Sequence, residues 1–205
     1  AEYNKLYEVP IHLEGYDPTY KGHQGQIKKA ATLIKNAKRP LIIAGAGVLK
    51  SGAMDELKEL AEKAQIPVTN TLVGLGGFPG DHELALGMVG MHGSVAANNS
   101  TDEADLVIAA GIRFHDRITG HPDFFCKKAK IIHIDIDPAE IDKNVTINVP
   151  IVGDLKQVLT ELNALVEPTT HEAWLEQIRE WQVEYPMVIP ESKNGVLHAQ
   201  YVLSE

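Results

Sequence analysis

Five short apolar runs occur along this chain, and each is continuous rather than alternating between apolar and polar residues. They cover residues 41–44, 67–71, 106–110, 131–135 and 149–152. Continuous runs of this length are typical of strands that are covered on both faces, as in a parallel sheet. The sequence therefore predicts a buried, mainly parallel β-sheet as the framework of the fold.

Helical periodicity separates the runs. The patterns cover residues 26–37, 51–65 and 154–165, and a shorter one places Trp174, Ile178 and Trp181 at spacings of four and three. Ser51 and Asp154 are predicted to cap their helices, because a hydroxyl or carboxylate oxygen can accept backbone N–H groups there. Strands that alternate with helices are joined by right-handed crossovers. The predicted fold class is α/β, a doubly wound, mainly parallel sheet with helices on both faces.

Composition narrows the class of partner. The chain contains 19 Lys+Arg and 28 Asp+Glu residues among 205, which gives a formal net charge of −9. Nucleic acid and anionic membranes are disfavoured as partners, because a protein surface that binds them needs clustered Lys and Arg residues and this chain has no such run. No apolar run approaches the ~20 residues that span a bilayer. The single cysteine, Cys126, fits a reduced, cytoplasmic setting and is interpreted as a small apolar residue rather than a nucleophile.

The two ends of the chain lack the regular pattern of the middle. Residues 1–23 combine prolines, glycines and tyrosines without periodicity and are predicted to be a linker. Residues 24–166 hold all the strand candidates and form the predicted nucleotide-binding domain. Residues 167–205 are predicted to be a helix followed by a second linker. Two linker-like ends indicate a piece of a longer protein.

Ligands of doubly wound sheets bind beyond the carboxyl ends of the strands. The first strand is followed by Gly45, Ala46 and Gly47, where a bare backbone can approach a ligand and the next helix would offer free N–H groups to an anion. This is not a nicotinamide fingerprint, because Lys50 occupies the third glycine position and no acidic residue follows the second strand. A tight strand-to-helix turn without a ligand is the alternative.

Glycines are dense after the second strand and again in residues 87–93, which include Met91 and His92. They indicate a backbone that passes close to a flat, partly apolar ligand, with Met91 as a polarizable contact. The alternative is a loop that needs several positive φ angles, and His92 taken alone is more often an ordinary loop histidine.

Two arginines four residues apart follow the third strand. Guanidinium groups are permanently charged, fork-shaped donors, so Arg113 and Arg117 suit phosphate oxygens. An internal pair between Arg117 and Asp116 is the competing interpretation, and both can hold together.

The fourth strand places His133, Asp135 and Asp137 on one face. A divalent cation normally gathers more oxygen ligands than one strand supplies, so a metal site is disfavoured. Asp135 is better suited to accept hydrogen bonds from ribose hydroxyls or an adenine amino group. Asp137 starts a turn, and Asp154 repeats the strand-then-acid arrangement after the last strand.

Six motifs occur in a fixed order along the chain: Gly45-Ala-Gly47, Thr71-Leu-Val-Gly-Leu-Gly76, Gly90-Met-His-Gly93, Gly111-Ile-Arg-Phe-His-Asp-Arg-Ile-Thr-Gly120, His133-Ile-Asp-Ile-Asp-Pro-Ala-Glu-Ile-Asp-Lys-Asn144 and Gly153-Asp154. Together they closely resemble the central domain of the acetolactate synthase (acetohydroxyacid synthase) catalytic subunit, over about residues 24–165. That family belongs to the thiamine-diphosphate enzymes, whose central domain is Rossmann-like. In its biosynthetic branch the central domain binds FAD.

The resemblance implies a set of FAD contacts, with the phosphates and sugar near the two arginines, the flavin ring and its chain past Met91, and the adenosine end near Asp135. The implied residues are Ala46, Gly47, Thr71, Leu72, Val73, Val89, Gly90, Met91, His92, Gly111, Ile112, Arg113, His115, Arg117, Asp135, Ile136, Asp154 and Leu155. His115 stands where the family usually has Asp, so a contact made there by a carboxylate is expected to change. No catalytic or metal-ligating residue is expected in this chain.

The family joins two pyruvates, or pyruvate and 2-oxobutyrate, into acetohydroxyacids in branched-chain amino-acid biosynthesis. The resemblance implies thiamine diphosphate and Mg²⁺ bound by other domains of the same enzyme, a homo-oligomer and a small regulatory subunit. The Gly-Asp-Gly motif that the superfamily uses for Mg²⁺ does not occur here. The chain is therefore expected to be an inactive fragment. A stand-alone nucleotide-binding module is the alternative, and a dehydrogenase is disfavoured by the missing acidic residue after the second strand.

Overall fold

One six-stranded sheet organises the computed structural model, which describes residues 18–188 and 199–204. Every neighbouring pair of strands is parallel. The strands are β1 (Pro40–Ala44), β2 (Val68–Asn70), β3 (Ala85–Met88), β4 (Leu106–Ala110), β5 (Lys130–Asp135) and β6 (Val149–Val152). Their spatial order, β3-β2-β1-β4-β5-β6, confirms the predicted doubly wound α/β fold.

Helices cover both faces of this sheet. Those in the described ranges are α1 (Gln24–Asn36), α2 (Ala46–Ser51), α3 (Met54–Ala64), α4 (Val95–Glu103), α5 (Asp116–Thr119), α6 (Leu155–Leu165), α7 (Glu172–Glu184) and α8 (Ala199–Ser204). Helices α1, α3 and α6 pack together on one face, and α4 packs with α7 on the other.

Residues of β1 show why its sequence is continuously apolar. Ile42 lies in the core beneath α1, α3 and α6, whereas Ile43 lies in the second core with Trp174 and Ile178 of α7. All five residues of β1 are buried, so the strand has no solvent-facing position for a polar side chain. The Trp174 indole N–H also donates to the Pro40 carbonyl (3.0 Å), which fastens α7 to the start of β1.

The connections create a crevice between β1 and β4. From β1 the chain runs outward through β2 to β3, then crosses over through α4 and enters β4 on the other side of β1. The two central strands pair in register, with Ile42 opposite Ile108. The segments that follow β1 and β4 diverge at their carboxyl ends, and such switch points are where ligands of doubly wound sheets bind.

The structure differs locally from the sequence-based expectations. Strand β3 and helix α4 were not predicted: β3 overlaps residues 87–93, which were interpreted as a loop, and no element was predicted for residues 95–103. Ser51 does not cap a helix: it is the last residue of α2, and its hydroxyl donates to the Gly47 carbonyl (2.8 Å). Gly52, with φ 63°, ends the additional helix α2, and the helix predicted to start after Ser51 begins at Met54 as α3. Asp154 caps α6 as predicted, accepting the Gln157 N–H (3.1 Å).

The predicted linkers lie largely outside the described residues, namely in residues 1–17 and 189–198. The end of the first one contacts the domain, because the Asp154 N–H donates to the Tyr20 carbonyl (2.8 Å). The domain limits at residues 23 and 166 stay predictions. No helix in the described part of the chain is long and apolar enough to cross a membrane.

Candidate functional site

A cavity of about 630 Å³ opens at the carboxyl ends of β1, β4, β5 and β6. This is an ordinary size for a small-molecule site. Twelve of the predicted contacts line it: Ala46, Gly47, Thr71, Val73, Gly111, Ile112, Arg113, His115, Asp135, Ile136, Asp154 and Leu155. The structure thus gathers residues that are spread over more than a hundred positions of sequence.

Glycines at the crevice let two backbones touch. A Cβ atom on Gly47 would lie 2.5 Å from the Gly111 Cα, and one on Gly45 would lie 2.3 Å from the Gly111 carbonyl oxygen. The Gly47 N–H donates to that same carbonyl (3.0 Å). Of the N–H groups expected to be free at the start of the next helix, the Gly47 N–H is therefore already used by the neighbouring strand end.

The segment after β4, residues 111–115, is called the Arg113 loop here. It buries Ile112 and Phe114 against the sheet and leaves Arg113 exposed at the cavity. The Arg113 Nε atom lies 3.7 Å from Glu140 Oε1, whose side chain is mostly buried. Because Glu140 is held near the domain surface, it restricts the directions in which this guanidinium can point.

Arg117 does not join Arg113. The chain turns tightly at Phe114, where the His115 N–H donates to the Arg113 carbonyl (2.9 Å), and α5 begins at Asp116. The second arginine therefore lines a neighbouring cavity of about 430 Å³. That cavity contains four of the predicted contacts: Val89, Gly90, Met91 and Arg117. Ile118 lines both cavities, which are therefore adjacent. The predicted side-chain pair between Asp116 and Arg117 is also not seen, since Asp116 accepts the Arg117 backbone N–H (2.9 Å).

Leu72 and His92 line neither of these cavities. Leu72 and Val73 are 69% and 68% exposed and belong to residues 71–75, called the Leu72 loop here. The Thr71 hydroxyl is buried at the cavity wall without a hydrogen-bond partner among the described residues. A buried polar atom without a partner is unfavourable, so this hydroxyl is a ready contact for a polar ligand.

The polar residues of β5 divide between core and cavity. Asp135 is at the cavity, and burial raises the pKa of its carboxyl although nearby Arg113 works the other way. His133 is fully buried, and desolvation lowers the pKa of its imidazole. Of the three polar residues predicted to share one face, Asp135 and Asp137 line the cavity, together with Ile134 of the same strand, whereas His133 does not.

Sequence reasoning missed several cavity residues, above all Lys50. It had been considered only as the residue in place of a third glycine, yet it lines the cavity together with Ala46, four residues earlier on α2. Spacing of i,i+4 places two residues on the same helix face, so this signal was available. Ile118 was missed for a different reason, because its position depends on the turn between β4 and α5.

Cys126 is buried, and desolvation raises the pKa of its thiol, so it is not poised as a nucleophile. Within residues 18–188 and 199–204 no group of three His, Cys, Asp or Glu side chains is placed to bind a metal ion.

The fold and its cleft define a class, a doubly wound α/β domain with a ligand cavity at its topological switch point. The sequence model of the thiamine pyrophosphate enzyme central domain matches residues 27–162. The chain belongs to this family of thiamine pyrophosphate enzymes.

Curated relatives of the chain point to one kind of enzyme within this family. The chain is 56% identical over 179 residues to a probable acetolactate synthase large subunit of Methanocaldococcus jannaschii, which covers 85% of this chain and 30% of that protein. It is 45% identical over 180 residues to the acetolactate synthase large subunit of Buchnera aphidicola subsp. Schizaphis graminum, with 88% and 31% covered. An acetolactate synthase of Mycobacterium avium is 45% identical over 204 residues, with 95% and 32% covered. The chain therefore spans about a third of the length of the relatives it matches.

Proposed function

We propose that the two adjacent cavities bind FAD and that the chain is the central domain of an acetolactate-forming enzyme. The observation that carries the proposal is the arrangement of charge at the switch point. Arg113 and Lys50 line the larger cavity together with Asp135 and Asp154, and Arg117 lines the smaller one. A ligand with a central diphosphate and a polar nucleoside at one end matches this order of cations and carboxylates.

The larger cavity fits the adenosine diphosphate half of such a ligand. Carboxylates of Asp135 and Asp154 can accept hydrogen bonds from ribose hydroxyls or the adenine amino group, and Asp154 retains this capacity because it has a second oxygen beyond its cap bond. Val73 and Ile136 provide apolar contact for a base, and a ligand can bond to the Thr71 hydroxyl, which has no partner among residues 18–188 and 199–204.

The smaller cavity fits the flavin end. Gly90 approaches the backbone of Arg117 closely, since a Cβ atom there would lie 2.5 Å from the Arg117 carbonyl oxygen. The neighbouring Met91 is 65% exposed, and thioether groups contact flat aromatic rings favourably. FAD, when bound, supplies a flavin ring at this position. Ile118 is the shared wall over which the ligand passes from one cavity to the other.

A titration with competing ligands tests this proposal on the purified 205-residue chain. We expect saturable quenching of flavin fluorescence by the chain, competition by ADP for the larger cavity, and no competition by riboflavin at equal concentration. Arg113→Ala should weaken FAD binding about 10- to 100-fold, the value of one charge-assisted hydrogen bond. Arg179→Ala is the matched control, because both arginines are 58% exposed and each lies near a glutamate, yet Arg179 is on α7 away from the cavities. Absence of both FAD and ADP binding at millimolar concentration would overturn the proposal.

We further propose that the longer protein condenses two pyruvates, or pyruvate and 2-oxobutyrate, in branched-chain amino-acid biosynthesis. Support comes from the relatives, which are acetolactate synthases or their large subunits. In this proposal thiamine diphosphate and Mg²⁺ bind to other domains, the enzyme is a cytoplasmic homo-oligomer, and a small regulatory subunit partners the large one. The 205-residue chain given pyruvate, thiamine diphosphate and Mg²⁺ should form no acetolactate, whereas detectable product would contradict its assignment to the central domain alone.

A further inference from the structure

The backbone of the Arg113 loop is fixed at every carbonyl. Five consecutive carbonyl oxygens, starting with the last residue of β4, accept a hydrogen bond. The donors are the Gly45 N–H to Ala110 (2.9 Å), the Gly47 N–H to Gly111 (3.0 Å), His133 Nε2 to Ile112 (2.9 Å), the His115 N–H to Arg113 (2.9 Å) and Asn144 Nδ2 to Phe114 (2.7 Å). Three donors are backbone N–H groups, two of them on glycines of the turn after β1. Only His133 and Asn144 donate from side chains.

His133 supports the loop from inside the domain. Its imidazole is fully buried and lies edge-on to the Phe114 ring, with centroids 5.0 Å apart. A carbonyl oxygen can only accept, so Nε2 carries the proton. The Nδ1 atom is buried and has no hydrogen-bond partner among the described residues. The ring is therefore a neutral donor, and its hydrogen bond among the described residues is the one to the Ile112 carbonyl.

Asn144 supports the same loop from the surface. It follows the 3-10 turn Pro138–Glu140, the turn that also carries the carboxylate near Arg113. Its Nδ2 atom donates to the Phe114 carbonyl, one residue beyond Arg113, while His133 bonds one residue before it. The two side chains thus bracket Arg113 on either side. Neither of them lines the larger cavity.

We propose that His133 and Asn144 are positioning residues that fix the Arg113 loop so that the guanidinium meets the ligand phosphate. This inference rests on the proposed FAD site, but neither residue touches the ligand. Because an arginine side chain is long and rotatable, its reach is defined only if its backbone is immobile. Removing either donor leaves a carbonyl unpaired and lets the loop relax, which misplaces Arg113 without removing it.

Matched substitutions separate this role from a general loss of stability. His133→Gln keeps an N–H donor that can reach the Ile112 carbonyl, whereas His133→Leu keeps bulk and removes the donor. We expect His133→Leu and Asn144→Ala each to raise the FAD dissociation constant about tenfold, and His133→Gln to restore it to within about threefold of the original chain. Trp174→Phe is the control: it also removes a buried ring N–H bonded to a backbone carbonyl, at the opposite end of β1.

A double substitution tests the route of the effect. If the two residues act through Arg113, His133→Leu should add almost nothing once Arg113 is alanine, so the paired losses are not additive. Additive losses would overturn the positioning role, as would a His133→Leu chain that binds FAD like the original while Arg113→Ala does not. Asn144 lies at the surface, so Asn144→Ala examines the same loop without opening the core.

A ligand-free measurement distinguishes failure of this inference from failure of the FAD proposal. Hydrogen exchange of the backbone amides in residues 111–119 should accelerate at least tenfold in His133→Leu and Asn144→Ala without FAD, and should be unchanged there in Trp174→Phe. If the original chain does not bind FAD but exchange accelerates as stated, the site proposal fails and the bracing of the loop survives. Unchanged exchange in both variants would refute the bracing itself.

Discussion

The Arg113 loop and the Leu72 loop both pack against the turn after β1, yet the first exposes a charged side chain and the second exposes apolar side chains. Gly74 brings the Leu72 loop against β1, where an added Cβ atom would lie 2.3 Å from the Ala44 carbonyl oxygen. The Arg113 loop turns its apolar side chains inward and its cation outward. The Leu72 loop exposes Leu72 and Val73, and within the described part of the chain its Thr71 hydroxyl has no hydrogen-bond partner.

This difference shows that the two halves of the cleft are completed in different ways. The Arg113 loop has its carbonyls paired before any ligand arrives, so it is preorganised for polar recognition. The Leu72 loop exposes apolar surface that gains free energy only when something covers it. In our account the first provides orientation and the second provides contact area for the flavin or for another part of the longer protein.

Glycine substitutions should produce the largest effects and test whether both loops are fixed to the turn. Gly47→Ala and Gly74→Ala each force a Cβ atom onto backbone atoms that cannot move independently, and we expect a loss of about 2–3 kcal/mol in the free energy of unfolding. Gly80→Ala is the control, since nothing lies within 4 Å of its added Cβ, and should change stability by less than about 0.5 kcal/mol. Urea unfolding measures all three. A Gly74→Ala chain as stable as Gly80→Ala would show that the Leu72 loop is not fixed there.

Substitution of the second arginine should sharpen the division between cavities. Because Arg117 lines only the smaller cavity, Arg117→Ala should weaken FAD binding about tenfold and leave ADP binding within about twofold. Arg113→Ala should weaken both ligands. Calorimetric titration with each nucleotide makes the comparison, and equal losses for ADP in the two variants would mean that one phosphate site, not two, is present.

His133 should contribute a pH dependence of stability that comes from the support of the Arg113 loop. Burial lowers the pKa of His133 below its unfolded value of about 6.5, outweighing nearby Asp135 and Glu140, which favour the charged ring. Below pH 6.5 the unfolded chain therefore binds a proton that the folded chain does not. The free energy of unfolding must fall with falling pH in this window, by at most about 1.4 kcal/mol per pH unit for this group.

His133→Gln removes that titration, so its stability should fall less steeply between pH 7 and 5.5 than that of the original chain. His171, whose pKa is also lowered by burial, remains in both chains and cancels in the comparison. The interaction of Asp135 with the His133 ring is part of the difference that is measured. Urea unfolding across this range gives the two slopes. Identical slopes would contradict a neutral, buried His133.

The smallest effect on stability is expected in the Leu72 loop. Leu72→Ser and Val73→Ser should change the free energy of unfolding by less than about 0.5 kcal/mol, because these side chains lose little burial. The same changes should weaken binding of FAD more than of ADP if the loop contacts the flavin. Ile136→Ser, at an exposed apolar residue of the adenosine end, is the counterpart and should weaken both.

Sequence patterns predicted the framework of this fold better than its edges. Buried strands such as β1 and β4 are continuous apolar runs in the sequence. Asp154 was recognised as the N-cap of α6 because aspartate is a preferred residue at that position. Strand β3 was missed because Gly87, with φ 77°, interrupts an edge strand whose register is irregular. Helix α4 was missed because small residues dominate its core-facing side, which leaves little hydrophobic periodicity. Its Asn98 side-chain amide also accepts from the Gly90 N–H and donates to the Gly90 carbonyl, and a hydrophobic pattern cannot reveal such a contact.

The candidate site shows the same limit. Motifs after each strand indicated which residues reach the carboxyl edge, and twelve of them do line one cavity. The separation of Arg113 from Arg117 was not predictable from their spacing, because it depends on the turn at Phe114 and on where α5 begins. The use of the Gly47 N–H by Gly111 depends equally on a contact between distant strands.

Amide chemical shifts of the isotopically labelled chain, followed by two-dimensional NMR during titration with FAD, test the central claim most directly. We predict that the largest shifts occur at residues 45–47, 111–113, 135 and 155, with a second group at residues 90–91, and that ADP reproduces only the first group. Saturating FAD that leaves these amides unshifted, or shifts residues away from the carboxyl edge instead, would contradict it.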